Sequence, residues 1–384
     1  MGNTREEHAK LLFVLSNDFG ELSNVMHLVM GYEFRPVVLM PERLFAVNTD
    51  TLALPHYRYS TCRDVTDHIE NDRPDIVFLF SGYLYSINNI FSIDSLEALT
   101  AHLRRERHRI VTSDPFLGIL SNLNCSIFSD RHPRKRWLME HFSRLSSMLQ
   151  DIPHLYLGNG GECAGSKRIH FFNKNIVLQP SVRSGLRREL ARWVDLDAAR
   201  ERWLFVLSLE DYGLQVGLHG RARFDEMLIQ KLQQTTREGR QPVLVAPQAC
   251  IDSLEGKDAS IEGSILLSFC GYHVFRLLAL EAEHGFYWNI FSNSVLSRVM
   301  NHLPVYFFDP GHMVRAIPPL FASGMKQYYA GSEPVYLKLQ ADLESEELAV
   351  LGAKQERTMS GARENFWRSP GPDEVVEELL AGKA

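Results

Sequence analysis

Residues 286–310 read FYWNIFSNSVLSRVMNHLPVYFFDP. The aromatic segment Phe286–Phe291 predicts a strand, and it ends in the small polar residues Ser292, Asn293 and Ser294. A helix is predicted over Ser294–Asn301, and Pro304–Phe308 predicts a further strand. A strand that passes directly into a helix and returns as a strand is the repeating unit of a parallel sheet. This stretch therefore predicts an α/β fold.

The same alternation of short apolar runs and helical patterns continues along most of the chain. The further predicted strands are Leu11–Leu15, Arg35–Met40, Asp75–Phe80, Arg109–Thr112, Trp203–Leu207, Pro242–Ala246 and Ser264–Phe269. Their nearly continuous apolar character is typical of parallel strands that are covered on both faces. They form two series, separated by a loosely patterned stretch at residues 158–185.

These two series predict the domain organisation. The chain has 384 residues, which at about 100–200 residues per domain favours two domains. We expect two Rossmann-like domains, residues 1–180 and 181–335, with a cleft between them. A C-terminal helical tail, residues 336–384, is expected to pack back across the domains.

Composition excludes several classes of protein. Hydrophobic residues make up 45% of the chain and charged residues 23%, as in ordinary globular proteins. The net charge of -6 gives no reason to expect nucleic acid as a partner. The five cysteines are scattered without CxxC spacing, which argues against a disulfide framework and a structural zinc site. The sequence shows no signal peptide and no apolar run of about 18 residues, so we expect residence in the cytoplasm.

The turn Phe291–Ser294 is the strongest candidate binding site. Ligands of doubly wound sheets sit at the carboxyl ends of the strands, and a helix N-terminus at that edge presents backbone N–H groups that bind phosphate. Arg298 follows about one turn later as a further candidate phosphate ligand. The alternative is that Ser292, Asn293 and Ser294 only cap the helix, since serine and asparagine are good N-caps.

This turn resembles the donor-nucleotide region of GT-B glycosyltransferases, in which a strand, a small polar turn, a helix and a short strand introduced by proline follow one another. The last element here is His302-Leu303-Pro304-Val305-Tyr306-Phe307. The resemblance implies an enzyme that moves a sugar from a nucleotide-sugar donor to a glycan, lipid-linked or protein acceptor. It implies no cofactor, and no metal is needed if a helix dipole and arginine stabilise the leaving diphosphate. Many GT-B enzymes carry a glutamate near this helix that binds the donor ribose, and this helix has none.

The first predicted strand is followed by Asn17, Asp18 and, slightly later, Glu21. The loop looks like the N-terminal loop of inverting GT-B enzymes, some of which place a carboxylate there. Transfer with inversion needs a general base that deprotonates the acceptor hydroxyl, and Asp18 and Glu21 are the candidates. Alternatively, both are solvated charges near a helix start, where acidic residues are favoured.

Further donor-side candidates follow the strands of the second series. Residues 208–223 are expected to form a flexible glycine-containing loop, in which Gly217 lets the backbone approach a pyrophosphate and Arg223 neutralises it. The spacing of the glycines does not give GxGxxG, so a dinucleotide fingerprint is absent. His273 is a candidate for base or phosphate contact, and Gln248 for nucleobase contact. Ordinary roles in loops, caps and turns are the alternatives.

On the acceptor side, Ser81 and Asp114 each follow a strand of the first series, and Asn17 joins them. Turn formation is again the alternative. The basic segment Arg131–Trp137 is either a solvated helix face or a peripheral contact with an anionic membrane at its inner face.

Two other functional classes stay open at this point. One is a sugar-nucleotide epimerase built on the same two-domain plan. The other is a non-catalytic two-lobed protein that binds a ligand or a partner protein.

Overall fold

In a computed structural model of the protein, the residues described are 8–16, 19–82, 84–87, 89–113, 135–149, 151–157, 168–197, 199–256, 261–312, 325, 328–329 and 331–382. The chain divides into two compact units, one formed by Met1–Ile176 with Asn365–Ala384 and the other by Val177–Glu364. The expected domains met at residues 180 and 181, close to this division. The expected tail, 336–384, is instead shared between the two units.

The first unit is built on a seven-stranded sheet in which every described pair of neighbours is parallel. The strand order is β3-β2-β1-β4-β5-β6-β7. The strands are β1 (Lys10–Val14), β2 (Arg35–Met40), β3 (His56–Arg58), β4 (Ile76–Leu79), β5 (Arg109–Ser113), β6 (His154–Leu157) and β7 (Arg168–Phe171). The order reverses between β1 and β4, which makes their carboxyl ends the switch point of this sheet.

The helices of the first unit connect these strands as in a Rossmann-like fold. They are α1 (Phe19–Val29), α2 (Glu42–Asn48), α3 (Cys62–Asp72), α4 (Leu84–Ile87), α5 (Ile93–Arg105) and α6 (Lys135–Leu149). The central strands are fully buried, and the rings of Phe13 on β1 and Phe78 on β4 stack with centroids 4.7 Å apart. This core is what the continuous apolar runs of the sequence produce.

The first unit is completed by the C-terminal end of the chain. The last helix, Pro372–Leu380, belongs to this unit. The backbone N–H of Phe172 donates to the carbonyl oxygen of Pro370 at 2.9 Å, and the rings of Phe172 and Phe366 lie 5.6 Å apart. Residues far apart in sequence therefore share one hydrophobic core.

The second unit contains a five-stranded parallel sheet of order β10-β9-β8-β11-β12. Its strands are β8 (Arg202–Val206), β9 (Gln241–Ala246), β10 (Ile265–Ser268), β11 (His284–Tyr287) and β12 (Val305–Phe307). Its helices are α7 (Pro180–Leu190), α8 (Leu209–His219), α9 (Arg221–Arg237), α10 (Gln248–Glu255), α11 (Tyr272–Glu281) and α12 (Asn293–Met300). The long helix Ser345–Trp367 follows, and its last three residues belong to the first unit. The order reverses between β8 and β11, so the carboxyl ends of these two strands form the switch point of the second sheet.

The expected loop at residues 208–223 is wrong, because these residues are helical. Ser208 caps α8 by accepting a hydrogen bond from the backbone N–H of Asp211 at 3.1 Å. Gly217 lies inside α8, where added side-chain atoms would meet open space. A glycine inside an exposed helix costs only about 1 kcal/mol relative to alanine, so the loop prediction gave it too much weight.

The predicted aromatic strand is also shorter than expected, since β11 ends at Tyr287. Residues 288–292 form the connection to α12 instead. The sequence patterns did not predict β3, β6 and β7, which have only three or four residues each and include several polar side chains.

Arg298 is a structural residue of this fold. Its side chain is fully buried, and its guanidinium group donates to four carbonyl oxygens, those of Ala279, Ala282, Glu283 and Pro304, at distances of 2.6–3.2 Å. Three of these carbonyls belong to the end of α11 and the residues that follow, where a helix leaves backbone acceptors unpaired and a positive charge is favoured. The interpretation of Arg298 as a phosphate ligand is therefore replaced by a role inside the fold.

The segment after β12 is anchored by a buried lysine of α9. The Lys231 ammonium donates to the side-chain oxygen of Gln234 at 2.9 Å and to the carbonyl oxygen of Ala341. Burial lowers the pKa of Lys231 to about 8, and the nearby Asp342 carboxylate opposes this shift.

Replacing Arg298 with methionine should lower the free energy of unfolding by about 3 kcal/mol or more, because several buried carbonyl oxygens lose their donors. Urea unfolding followed by circular dichroism measures the change. Arg223→Met is the control, since Arg223 is exposed and forms a surface ion pair with Glu226 at 3.3 Å; we expect a change within about 0.5 kcal/mol. Equal stability of Arg298→Met and the wild type would contradict the structural role.

Lys231 should make stability depend on pH. Its pKa in the folded protein lies below the unfolded value, so the unfolded chain binds more protons and the free energy of unfolding rises between about pH 8 and pH 10. Lys231→Met should remove this contribution, and the difference between the two proteins in urea unfolding isolates it from other titrating groups. Lys354→Met, at an exposed position, should retain the wild-type dependence; the same pH profile in Lys231→Met would refute the assignment.

Candidate functional site

Three neighbouring strands of the second sheet deliver polar residues to one edge. β8 is followed by Ser208 and the first turn of α8, β11 by residues 288–292 and the start of α12, and β12 by residues 308–312. Because β8, β11 and β12 are adjacent in the sheet, these three connections lie side by side. The switch point of the sheet lies within this group, which makes the edge the candidate ligand site of the second unit.

The start of α12 has no side-chain cap. Ser292 occupies the N-cap position with an extended backbone, but its side chain accepts no hydrogen bond from the first turn. Instead, its hydroxyl pairs with the hydroxyl of Ser294 at 2.8 Å. The Ser292 side chain therefore does not cap α12, although the backbone N–H of Val295 donates to the carbonyl oxygen of Ser292 at 3.0 Å.

The connection after β12 packs closely against the turn before α12. Gly311 has a φ of 103°, and a β-carbon there would lie 3.0 Å from Cγ of Asn289. The Asp309 carboxylate accepts a hydrogen bond from the backbone N–H of Gly311 at 2.9 Å, and the Asn289 side-chain oxygen accepts one from Phe291 at 2.8 Å. Glycine is needed at position 311 because of both the backbone angle and the close approach.

A histidine and an aspartate, which the sequence places only in segments that follow predicted strands, meet at this edge. The buried Asp211 carboxylate accepts hydrogen bonds from the backbone N–H of His312 at 2.8 Å and from its ring nitrogen Nδ1 at 2.9 Å. The Ser208 hydroxyl donates to the other carboxylate oxygen at 2.7 Å. The only sequence signal was that each residue follows a predicted strand.

The remaining donor-side candidates are not gathered at the α12 start. Arg223 lies on the exposed face of α9, and Gly217 lies within α8. His273, near the start of α11, pairs with Glu189 at 2.9 Å, and the Gln248 side chain donates to Asp252 within α10 at 2.7 Å. Gln248 and His273 do follow the carboxyl ends of β9 and β10, on the far side of β8 from α12.

In the first unit, Glu21 is a buried residue of the α1 start rather than a solvated charge. Its carboxylate accepts hydrogen bonds from the Ser16 backbone N–H at 2.5 Å and from the Ser16 hydroxyl at 2.6 Å. Tyr59 and Tyr85 lie close by, and the Glu21 charge adds to burial in raising the pKa of both. Glu21 therefore holds the end of β1 against α1.

Ser81 lies at the end of β4, with a φ of 47° and a fully buried side chain. Its backbone N–H donates to the Ser113 hydroxyl at 2.8 Å, and its own hydroxyl has no hydrogen-bond partner among the described residues. Ser113 is the last residue of β5 and directly precedes Asp114, which the sequence analysis placed on the acceptor side. Asn17, Asp18 and Asp114 lie outside the described residues.

The expected membrane contact of Arg131–Trp137 and the expected independence of metal both stay predictions. Of the basic segment Arg131–Trp137, residues 131–134 lie outside the described part of the chain, and residues 135–137 are described only as backbone in α6. None of the helices in the described ranges is long and apolar enough to cross a membrane. Within those same ranges, no three histidine, cysteine or acidic side chains form a group that could hold a metal ion.

No family model and no curated protein matches the sequence. Solved structures do resemble the fold over nearly the whole chain. The wall teichoic acid polymerase TagF matches with a TM-score of 0.58 and 10% identity, over 97% of this chain and 88% of that one. The sucrose-phosphate synthase of Thermosynechococcus elongatus matches with a TM-score of 0.53 and 10% identity, over 97% and 99% of the two chains.

The Phytolacca americana enzyme UGT2, complexed with UDP-2fluoro-glucose and pterostilbene, matches with a TM-score of 0.52 and 12% identity, over 97% of this chain and 99% of that one. At such low identity the likeness is one of fold. The expected fold class is confirmed in this respect: the chain is an α/β protein with two Rossmann-like units, and its fold is that of the GT-B glycosyltransferases.

Proposed function

We propose that this protein is a glycosyltransferase that takes a sugar from a nucleotide-sugar donor and passes it to a glycan, lipid-linked or protein acceptor. The observation that carries the proposal is the GT-B fold together with an uncapped helix start at the switch point of the second sheet. The fold supplies the class of reaction, and the helix start supplies a place for a diphosphate.

The second unit is proposed to bind the donor, with the diphosphate at Ser292, Asn293 and Ser294. In a helix, the first-turn N–H groups point along the axis beyond the N-terminus and carry a partial positive charge. The pairing of the Ser292 and Ser294 hydroxyls keeps the Ser292 side chain off these donors. UGT2 was solved with a nucleotide sugar, and this supports the same donor class here.

The side chains of α12 supply few charged groups to the proposed donor site. The residues of α12, NSVLSRVM, include no acid for the donor ribose, and their arginine is buried among carbonyl groups. Backbone N–H groups and other residues of the edge must therefore meet the charge of the leaving diphosphate. A metal-independent reaction stays part of the proposal on this basis.

The first unit is proposed to bind the acceptor near the carboxyl ends of β4 and β5, where Ser81 and Ser113 lie. Asp18 and Glu21 remain the proposed general bases. Of the two, Asp18 is preferred, because both carboxylate oxygens of Glu21 already accept hydrogen bonds from Ser16.

The donor site can be tested by changing Ser292 to aspartate. Aspartate is a good N-cap and suits the helix dipole, so the free protein should be as stable as the wild type. Its charge should repel a diphosphate and abolish the rise in melting temperature that binding produces. At a ligand concentration of about 100 Kd, binding to the wild type adds about 2.7 kcal/mol of stability.

The measurement is a thermal-shift series with UDP, GDP, CDP, ADP and dTDP. Ser92→Asp, at the N-cap of α5 in the first unit, makes the same change of charge and should keep the wild-type response. If none of the five stabilises the wild type, the proposed function fails. If one does and Ser292→Asp responds equally, the location of the site is wrong.

The base can be tested by comparing Asp18→Asn with Glu21→Gln. If Asp18 is the base, Asp18→Asn should lower the rate of sugar transfer or of donor hydrolysis by about 100-fold or more without changing the melting temperature. Glu21→Gln should lower the melting temperature, because an amide offers Ser16 only one acceptor oxygen. Full activity in both variants would exclude both residues as the base.

A further inference from the structure

The buried carboxylate of Asp211 places a negative charge near the proposed diphosphate site. Asp211 is 1% exposed and lies in the first turn of α8, directly after the central strand β8. An uncovered carboxylate at this edge would repel a diphosphate. The hydrogen bond from Nδ1 of His312 supplies a partner that can carry a positive charge.

The sheet order fixes where this pair lies. Asp211 follows β8 and His312 follows β12, and the strand between these two is β11. A hydrogen bond between residues that follow the two flanking strands must pass across the carboxyl end of β11. That end leads into the turn before α12, and Gly311 packs against Asn289 in that turn. The pair is therefore adjacent to the proposed diphosphate position.

The hydrogen bonds determine how the imidazole is presented. Asp211 accepts from both the backbone N–H and Nδ1 of His312, so the ring cannot rotate without losing a bond to a buried carboxylate. With Nδ1 used in this way, Nε2 is the ring nitrogen on the side away from Asp211. The side chain of His312 is 26% exposed, so solvent or a ligand reaches part of the ring.

A buried donor supports a polar site beside the pair. Gln215 lies one turn after Asp211 on the same face of α8, because residues four apart in a helix are neighbours. Its side chain is 3% exposed, and its amide nitrogen has no hydrogen-bond partner among the described residues. Buried donors normally have a partner, so this amide nitrogen is available to a polar group of a ligand.

We propose that His312, in its protonated form and oriented by Asp211, binds the diphosphate of the nucleotide-sugar donor through Nε2–H. This inference rests on the proposed function and adds to it the residue that neutralises the leaving group. His312 is the binding residue, and Asp211 is a positioning residue that acts through it.

The reaction balances without a proton from His312. The bond between the anomeric carbon and the donor phosphate oxygen breaks, and its electron pair stays on that oxygen. The acceptor oxygen forms the new bond to the anomeric carbon and gives its proton to the general base. The Nε2–H of His312 donates a hydrogen bond to the diphosphate as its negative charge grows, and such charge-assisted bonds are strong.

Two carboxylates form hydrogen bonds in the segments that carry this pair. Asp211 faces it from α8, and Asp309 lies in its own segment. Tyr336 lies close enough to Asp309 to be affected by its charge. Burial, and to a smaller extent the charges of Glu333 and Asp309, raise the pKa of Tyr336 to about 12, so its hydroxyl is neutral. A carboxylate that accepts a hydrogen bond from an imidazole favours the charged form of the ring.

The test compares the affinity for UDP, GDP, CDP, ADP and dTDP between pH 6 and pH 8.5 by calorimetry. His312→Gln should bind the preferred nucleoside diphosphate about 10- to 100-fold more weakly at pH 6, as expected for the loss of a charged hydrogen bond. Its affinity should fall less with rising pH than that of the wild type. The ligand phosphate titrates in both proteins, so the difference between the curves reports the imidazole.

Asp211→Asn separates charge from packing. An asparagine oxygen can still accept both hydrogen bonds from His312, so the shape of the site is kept while the carboxylate charge is lost. The pH at which the affinity falls should move down in this variant, whereas a purely structural role of Asp211 would leave it in place. Glu210→Gln, exposed in the same helical turn, and His219→Gln, exposed at the other end of α8, are the matched controls.

The outcomes separate the two proposals. If the wild type binds none of the five nucleotides, the proposed function and this inference fail together. If it binds one, and His312→Gln has the affinity and pH dependence of the wild type, only the role of His312 is overturned. A loss of affinity in His312→Gln with an unchanged pH profile in Asp211→Asn would keep the binding residue and remove the role of Asp211.

Discussion

The position of α12 depends on the buried guanidinium group of Arg298. This one side chain joins the end of α11, the start of β11 and the start of β12 by hydrogen bonds to their carbonyl oxygens. The β11 residue Gly285 lies so close that a β-carbon there would be 2.6 Å from Nε of Arg298. Arg298 thereby fixes α12 through its last turn, and the N-terminus of α12 is held at the edge of the sheet. A phosphate site made of backbone N–H groups requires such a rigid support, because its donors cannot adjust as side chains do.

The fold could be predicted from the sequence because its strands are buried on both faces. Arg35–Met40 was predicted with the bounds that β2 has in the structure, and most other strands differ by one or two residues. The short strands β3, β6 and β7 were not predicted, because three or four residues that include histidine or arginine show no clear hydrophobic pattern. The helix α8 was missed because its glycines suggested a loop, whereas the Ser208 cap and the burial of Tyr212 and Gln215 stabilise a helix.

Only part of the candidate site could be predicted from the sequence. The turn before α12 was found because the local pattern of strand, polar turn and helix is contiguous. Arg298 was misinterpreted, because its distance from the turn in sequence gives its height along the helix but not the face on which it lies. Its neighbours Val295 and Val299 are buried, and Gly285 on the adjacent strand leaves room for it. Asp211 and His312 are 101 residues apart, and only the strand order brings them together.

The first unit is formed by two separate stretches of the chain. Asn365–Ala384 contributes Phe366 to its core and the carbonyl of Pro370 to its backbone hydrogen bonds, yet the whole of Val177–Glu364 lies between these residues and the rest of the unit. During synthesis the residues of the second unit therefore precede the last part of the first unit's core. The usual order, in which the N-terminal domain folds first during synthesis, is reversed for the final step of this protein. Until the last helix emerges, the apolar surface around Phe172 lacks its partner Phe366, and transiently exposed apolar surface of this kind promotes aggregation.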